Sequence, residues 1–203
     1  MTSNNIPIRQ IRATHNEAHV RVYQAYNNAI ADAALREGTF VSPPFKIDRM
    51  TWIKPSFLWM MYRSGWAEKY PDQARILAID VSRDGFEWAL AHSCLSHPPE
   101  GISDVEWKKL KQSSSVRIQW DPERNLKLDK LEHRSIQIGL SGVAVSHYIS
   151  NWIHTVTDVT GLAKHIASLV RENKLDAAEK LLPVERAYDL PTAIAQRLGI
   201  RKC

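Results

Sequence analysis

Lys46, Arg49, Lys54 and Arg63 fall within eighteen residues of one another, in "KIDRMTWIKPSFLWMMYRSGW". Trp52, Trp59 and Trp66 run through the same stretch, seven apart. A site for a negatively charged, ring-bearing ligand needs this mixture. Guanidinium and ammonium groups hold an anion, and indoles stack on a planar ring. Lys54 stands at the entrance of an expected helix, where free backbone amides also favour negative charge. The plainer alternative for Lys54 is a solvated surface lysine. Trp59 and Arg63 are four apart and so meet on one helix face. They form either a stacked structural pair or a ligand platform. Phe57, Met60 and Met61, with Leu58 at their edge, make an apolar face that reads as core.

The acidic counterpart is "WDPER" at 120–124. Asp121 and Glu123 are two apart at the end of an expected strand, so they project to the same side if the chain stays extended. Either acid can serve as a general base or steady a developing cation. The other reading is a salt-bridged turn in which Arg124 neutralises an acid. "RSIQIGL" then places Arg134 and Gln137 on opposite faces of a strand, with Arg134 sharing the face of Ile136. A guanidinium entering an apolar strand needs a partner. Asp121, Glu123 or a ligand phosphate would fill that role.

Several familiar chemistries are excluded. The chain has no GxxxxGK[ST], GxGxxG or HExxH, and only 8 glycines from which to build a phosphate loop. Ser56 and Ser64 lie outside any GxSxG context. In "HSCLSH", His92 and His97 flank Cys94, but a fourth zinc ligand is missing locally. Nothing nearby activates the thiol. Cys94 therefore reads as a packed residue on the apolar side of a helix, and no metal is expected.

The elements that must position these residues follow from pattern. "HVRVYQAY" (19–26), "RILAIDVS" (75–82), "SVRIQW" and "RSIQIGL" alternate and are expected as strands of one sheet. "NNAIADAALREG" (27–38) is expected as a helix capped by Asn27 or Asn28 and ended by Gly38. "PSFLWMMYRSG" is expected as a helix with Pro55 in its first turn and Gly65 past its end. "DGFEWALAHSCL" is expected as a helix opened by Asp84. "SDVEWKKLKQ" carries the reciprocal capping pattern of Ser103 and Glu106. "HPPEGISD" (97–104) is expected as a surface loop. From Ser141 onward the chain reads as largely helical, with Asp158 or Thr160 capping a helix to about Glu172 and "LDAAEKLLP" ending at Pro183. Helices do not alternate regularly with strands, so the expected class is α+β: a single domain with a mixed or antiparallel sheet of four to six strands, packed helices and a helical C-terminal part.

Composition bounds the rest. A chain of 203 residues with 44% hydrophobic and 24% charged content fits one soluble domain. A net charge of +5 permits a polyanionic partner without requiring one. The opening "MTSNNIPIRQIRA" has no apolar signal core, and no run of about 18 apolar residues exists, so neither secretion nor a membrane span is expected. Cys94 and Cys203 are the only cysteines, which points to a reducing, cytoplasmic setting without a disulfide framework.

The blocks "RMTWIKPSFLWMMYRSGWA", "WDPER", "RSIQIGL", "IRQIRA", "VRVYQAY" and "LLPVERAY" resemble the signature blocks of the family catalogued as domain of unknown function 4291. The resemblance spans about residues 8 to 190. It implies that these blocks belong to one domain and converge in space.

Three functional readings remain open. The first is an enzyme acting on a nucleotide or other phosphorylated small molecule. Arg49, Lys54, Arg63 and Arg134 would hold the anion, Trp52 and Trp59 would stack a ring with Gln137 beside them, and Asp121 or Glu123 would do the proton or charge work. Within it, "VRVYQAYNNAIADAALREGTF" has the shape of an ADP-ribosyltransferase strand, helix and glycine bend. Arg21, Tyr23 or Gln24 would be the strand residue, Glu123 the glutamate, and NAD the cofactor. The second is a non-catalytic module that binds RNA or single-stranded nucleic acid through basic charge and tryptophan stacking. It carries no RRM, KH or zinc-finger signature. The third is a protein whose C-terminal helices (157–199) dock on a partner chain, against which stands the simpler packing of Leu162, Ile166, Leu169 and Val170 on its own sheet.

Overall fold

The computed structural model describes residues 6–98 and 101–200. Pro99 and Glu100 of the 97–104 loop, and Cys203, lie outside the described residues.

The chain opens with a two-residue strand β1 (Arg12–Ala13) and the long strand β2 (His19–Tyr26). Helix α1 (Asn28–Glu37) follows, its Asn27 cap accepting from the Ile30 amide and Gly38 ending it in the left-handed region. A short strand β3 (Thr51–Ile53) leads into α2 (Phe57–Ser64). Pro55 precedes this helix rather than sitting in its first turn, because Ser56 caps it by accepting from the Trp59 amide at 3.1 Å. Next come β4 (Arg75–Ser82), α3 (Arg83–Ala91), β5 (Ser93–Leu95) and α4 (Asp104–Ser113), the last opened by the expected Ser103–Glu106 capping box. Strands β6 (Val116–Arg124) and β7 (Lys130–Leu140) form a hairpin, followed by α5 (Val143–His147) and a π-helical turn, Tyr148–Trp152. The chain closes with β8 (Ile153–Asp158), α6 (Thr160–Arg171), α7 (Leu175–Glu179), β9 (Arg186–Ala187) and α8 (Thr192–Arg197).

The class is α+β, as expected, but the strands divide among three sheets. β2, β4 and β8 make one antiparallel sheet. β3, β7, β6 and β5 make a second, with β5 parallel to β6. β1 pairs with β9. The region after Ser141 is largely helical, as expected, and adds the strand β8, paired with β4. Three expectations are corrected. The strands at 19–26 and 75–82 lie in a different sheet from those at 116–124 and 130–140. Cys94 sits in β5, because α3 already ends at Ala91. "WDPER" continues β6 instead of turning.

Two cores flank the three-stranded sheet. One, with Val20, Val22, Leu77, Ile79, Ile53, Ile118, Ile136 and Ile138, fills the space between the two larger sheets. The other packs α2 and α6 on the opposite side through Tyr23, Ile76, Phe57, Met60, Met61 and Ile166. Because strand side chains alternate, Ile53, Ile136, Ile138 and Ile118 turn the hydrophobic face of the four-stranded sheet inward. Its other face carries Trp52, Lys54, Gly139, Gln137, Ser135, Gln119 and Asp121. Among the described residues no helix is long and apolar enough to cross a membrane.

Candidate functional site

The polar face of the four-stranded sheet is the candidate site. Its register sets the layout: Trp52 pairs with Gly139, Gln119 with Gln137, and Asp121 with Ser135. Lys54 continues one residue beyond β3, so it stands next to Gln137. A Cβ at Gly139 would meet Trp52 ring atoms at 3.0 Å and Met50 Sδ at 2.7 Å. Only a glycine lets the Trp52 indole approach this strand so closely.

Lys54 is 7% exposed, rare for a lysine. Its Nζ donates to the Trp52 carbonyl at 3.2 Å. Burial pushes its ammonium down to about 7, and the Arg63 guanidinium adds to this while Asp121 opposes it. Asp121 is held in place by two amides: Gln119 Nε2 donates to Oδ1 at 2.9 Å and Gln137 Nε2 to Oδ2 at 2.7 Å. Arg63 is exposed on α2 and makes no ion pair among the described residues. A lysine poised between charged and neutral, beside an unpaired arginine and a fixed carboxylate, can take up an anion or move a proton.

A second group of acids lies two residues further along. Glu123 accepts from the Arg124 amide at 2.8 Å, and the nearby Ser56 and Ser135 hydroxyls favour its ionised form. Burial nevertheless raises its carboxyl. Glu185, in the segment before β9, accepts from the Phe57 amide at 2.7 Å. Burial pushes it up to about 8; Glu123 contributes, whereas Arg12 opposes. The Tyr23 hydroxyl is buried with no partner in hydrogen-bonding geometry. Burial raises it well above the usual phenol range, and the nearby Thr14 hydroxyl is committed to the Val184 carbonyl at 3.0 Å.

The expected residues thus separate. Trp52, Lys54, Asp121 and Gln137 share the polar face, Glu123 follows them along β6, and Arg63 approaches from α2. Arg134 lies on the opposite face, where Nη1 donates to the Trp120 carbonyl at 3.2 Å. Arg49 is exposed in the loop before β3. Arg21 is bound bidentately by Asp80 at 2.8 and 2.7 Å. Gln24 is buried, donating to Thr51 and accepting from the Tyr148 hydroxyl. Trp59 is buried too, stacked on Tyr62 with ring centroids 5.2 Å apart. Its cation is Arg124, whose guanidinium lies 3.6 Å from the Tyr62 ring centre and 5.6 Å from that of Trp59. Sequence reasoning missed Glu185, Ser56 and Ser135 as site residues. Glu185 was visible only as the acid inside "LLPVERAY".

The model of the domain of unknown function DUF4291 matches residues 10–188. The chain belongs to that family. The DUF4291 match takes in the polar face, Tyr23, Arg63, Glu123 and Glu185, so the candidate site lies wholly within the family's domain. No curated protein matches the chain.

Proposed function

We propose that the polar face of the four-stranded sheet is the substrate site of an enzyme that handles a nucleotide or another phosphorylated small molecule. The observation that carries this reading is Lys54, a buried lysine held near neutrality beside Arg63 and Asp121. Burying an ammonium without a full counter-charge is costly. An arriving phosphate supplies that charge, so Lys54 takes up a proton as the ligand binds. Arg63, exposed and unpaired, adds a second cation at the rim. Trp52, lying over Gly139, offers a ring on which a base stacks. Asp121 and Glu123 are the groups for proton or charge work. The narrower reading, ADP-ribosyl transfer from NAD, draws on Tyr23 and Glu123, which both lie around the start of α2. Arg21 and Gln24 have other partners, so NAD enters as one candidate among nucleotides.

Thermal shift with NAD, ATP and ADP-ribose tests the reading. At least one should raise the melting temperature of the wild type but not of Lys54→Met. Calorimetry of that ligand in buffers of different ionisation enthalpy should report proton uptake near pH 7. If none of the three moves the wild-type transition, the nucleotide class is lost.

A further inference from the structure

A cavity of about 360 Å³ opens where the start of α3 meets the π-helical turn after α5, on elements that take no part in the Lys54 face. Its size falls within the range of small-molecule sites, about 300–1,000 Å³. Residue spacing builds its walls. Asp84 and Trp88 are four apart on α3 and share a helix face. Trp152 follows His147 by five residues, the step of a π-helical hydrogen bond, and here the Ile153 amide donates to the Tyr148 carbonyl. The ring centres of Trp88, His147 and Trp152 form a triangle with sides of 5.4, 5.4 and 6.0 Å. Two contacts hold the indoles in place. His92 stacks on Trp88 with ring centres 4.0 Å apart, and its Nδ1 donates to the Trp88 carbonyl at 2.8 Å. A Cβ at Gly85 would collide with Cγ, Cδ1 and Cδ2 of Trp152, so only glycine admits that ring. The charge of the cavity is one-sided. Asp84 is its single carboxylate, and no lysine or arginine lines it. Among the described residues Asp84 has no ion pair and no hydrogen bond. The adjacent Arg83 is committed elsewhere: its Nε donates to the Tyr188 hydroxyl at 3.0 Å, and its Nη2 lies 3.8 Å from Glu87. The Gly85 amide already donates to the Ser82 hydroxyl at 3.2 Å, so the helix start does not offer it to an anion.

We propose that this cavity binds a methylated ammonium group, with Trp88, Trp152 and His147 around the cation and Asp84 as its counter-charge. A cation seated over the triangle of rings lies within about 6 Å of all three centres, the distance over which a ring quadrupole attracts it. A bare ammonium suits the cavity less well. It is a compact, strongly hydrated charge with three N–H donors to satisfy. A methylated ammonium turns methyl groups to the rings and loses less hydration on entering. An anion is opposed by Asp84. The cavity is therefore opposite in character to the Lys54 face, and nothing in it depends on Lys54 or on the ligand bound there. The same group is carried by choline-like small molecules and by trimethylated lysine in a protein tail.

Nuclear magnetic resonance of nitrogen-15-labelled protein reads the site through its indole N–H signals. The chain has seven tryptophans, and Trp88→Leu identifies the Trp88 signal by its loss. Choline, tetramethylammonium and a peptide bearing trimethyllysine are titrated separately. At least one should shift the Trp88 and Trp152 signals to saturation. Choline binding tighter than the peptide assigns a small-molecule ligand, and the reverse order assigns a protein tail. The neutral tert-butyl analogue of choline, and the peptide with unmethylated lysine, should bind more weakly than their cationic or methylated counterparts. Trp88→Leu should weaken the tightest of the three cations about tenfold. Asp84→Asn should weaken it about fivefold, as expected for an exposed counter-charge, and leave the neutral analogue unchanged. Asp84 is exposed, so this variant keeps its fold whatever Trp88→Leu does to stability. No indole shift with any of the three cations overturns the proposal. So does equal affinity for the neutral analogue or the unmethylated peptide, or an unchanged cation affinity in Asp84→Asn.

Discussion

Tyr23 and Lys54 exchange both backbone hydrogen bonds: the Tyr23 amide donates to the Lys54 carbonyl at 2.7 Å, and the Lys54 amide to the Tyr23 carbonyl at 3.2 Å. This single bridge joins the three-stranded sheet to the four-stranded one. Directly opposed residues of an antiparallel pair project to the same side. The bridge therefore brings a phenol from one sheet beside an amine from the other, and it fixes where β3 ends and α2 begins. Phe57, whose amide donates to Glu185, comes three residues after it.

Lys54 should weaken the fold in a defined pH window. Its folded value near 7 lies below the ordinary 10.5, so between them the unfolded chain binds the extra proton. The penalty is complete at and below pH 7 and fades as pH rises towards 10.5. Lys54→Met should therefore be more stable than the wild type by about 1–4 kcal/mol at pH 7. Chemical denaturation at several pH values should show that gap closing by pH 10. A gap that does not depend on pH would mean Lys54 is not neutralised by burial.

Glu185 should act in the opposite sense and in a lower window. Its folded value near 8 exceeds the ordinary 4.5, so the folded state holds the extra proton between them. That costs nothing below pH 4.5 and reaches its full size above pH 8. Glu185→Gln should match the wild type in stability at pH 5 and exceed it progressively as pH rises to 8. The two penalties overlap between pH 7 and 8, where the site is most expensive to keep. That is a signature expected of residues retained for use rather than for folding.

Arg63 and Arg124 should separate cleanly. Arg63 is exposed and unpaired among the described residues, so Arg63→Ala should change stability by no more than about 0.5 kcal/mol. It should nevertheless raise the Lys54 value, by removing a neighbouring cation, and weaken nucleotide binding. Arg124 is buried between the Tyr62 ring and the Leu128 carbonyl. Arg124→Ala should cost about 1–3 kcal/mol and lower the melting temperature. Equal losses of stability in the two variants would reverse these roles.

What was legible in the sequence was what is local. Period-two alternation exposed β2, β4, β6 and β7, and capping residues marked α1 and α4. The same period put Asp121 and Glu123 on one side, and it also put Arg134 with Ile136 on the core face. β3 spans three residues and leaves too short a pattern to read. β8 stayed hidden because most of its residues are exposed or half-buried, so it lacks an apolar rhythm. For Lys54 the sequence left an anion site and a solvated surface lysine both open, because only tertiary packing buries it. Glu185 lies about sixty residues from Glu123 in the chain, and nothing short of the folded β1–β9 pairing brings them together. The Trp59–Arg63 spacing was correct helical arithmetic, yet Arg124, arriving from β6, took the place beside the rings.

Gly139 gives the sharpest test of the stacking surface. Replacing it by Ala puts a methyl group 3.0 Å from the tip of the Trp52 indole and 2.7 Å from Met50 Sδ. Both contacts are tighter than van der Waals packing allows, so the ring or the thioether must move. Met50 is flexible and can yield. Trp52 is held by its strand, and its ring must swing away from the sheet. Neither atom is part of the inward-facing core, so the stability cost should stay near 1 kcal/mol, at the low end for an overpacked site. Trp52 fluorescence should change, and affinity for a base-bearing nucleotide should drop about tenfold, in keeping with a lost stacking contact. Inorganic pyrophosphate, which has no ring, should bind Gly139→Ala as well as it binds the wild type. If both ligands weaken equally, the substitution has disturbed Lys54, and Trp52 is packing rather than platform. If neither weakens, the ligand does not touch this part of the sheet.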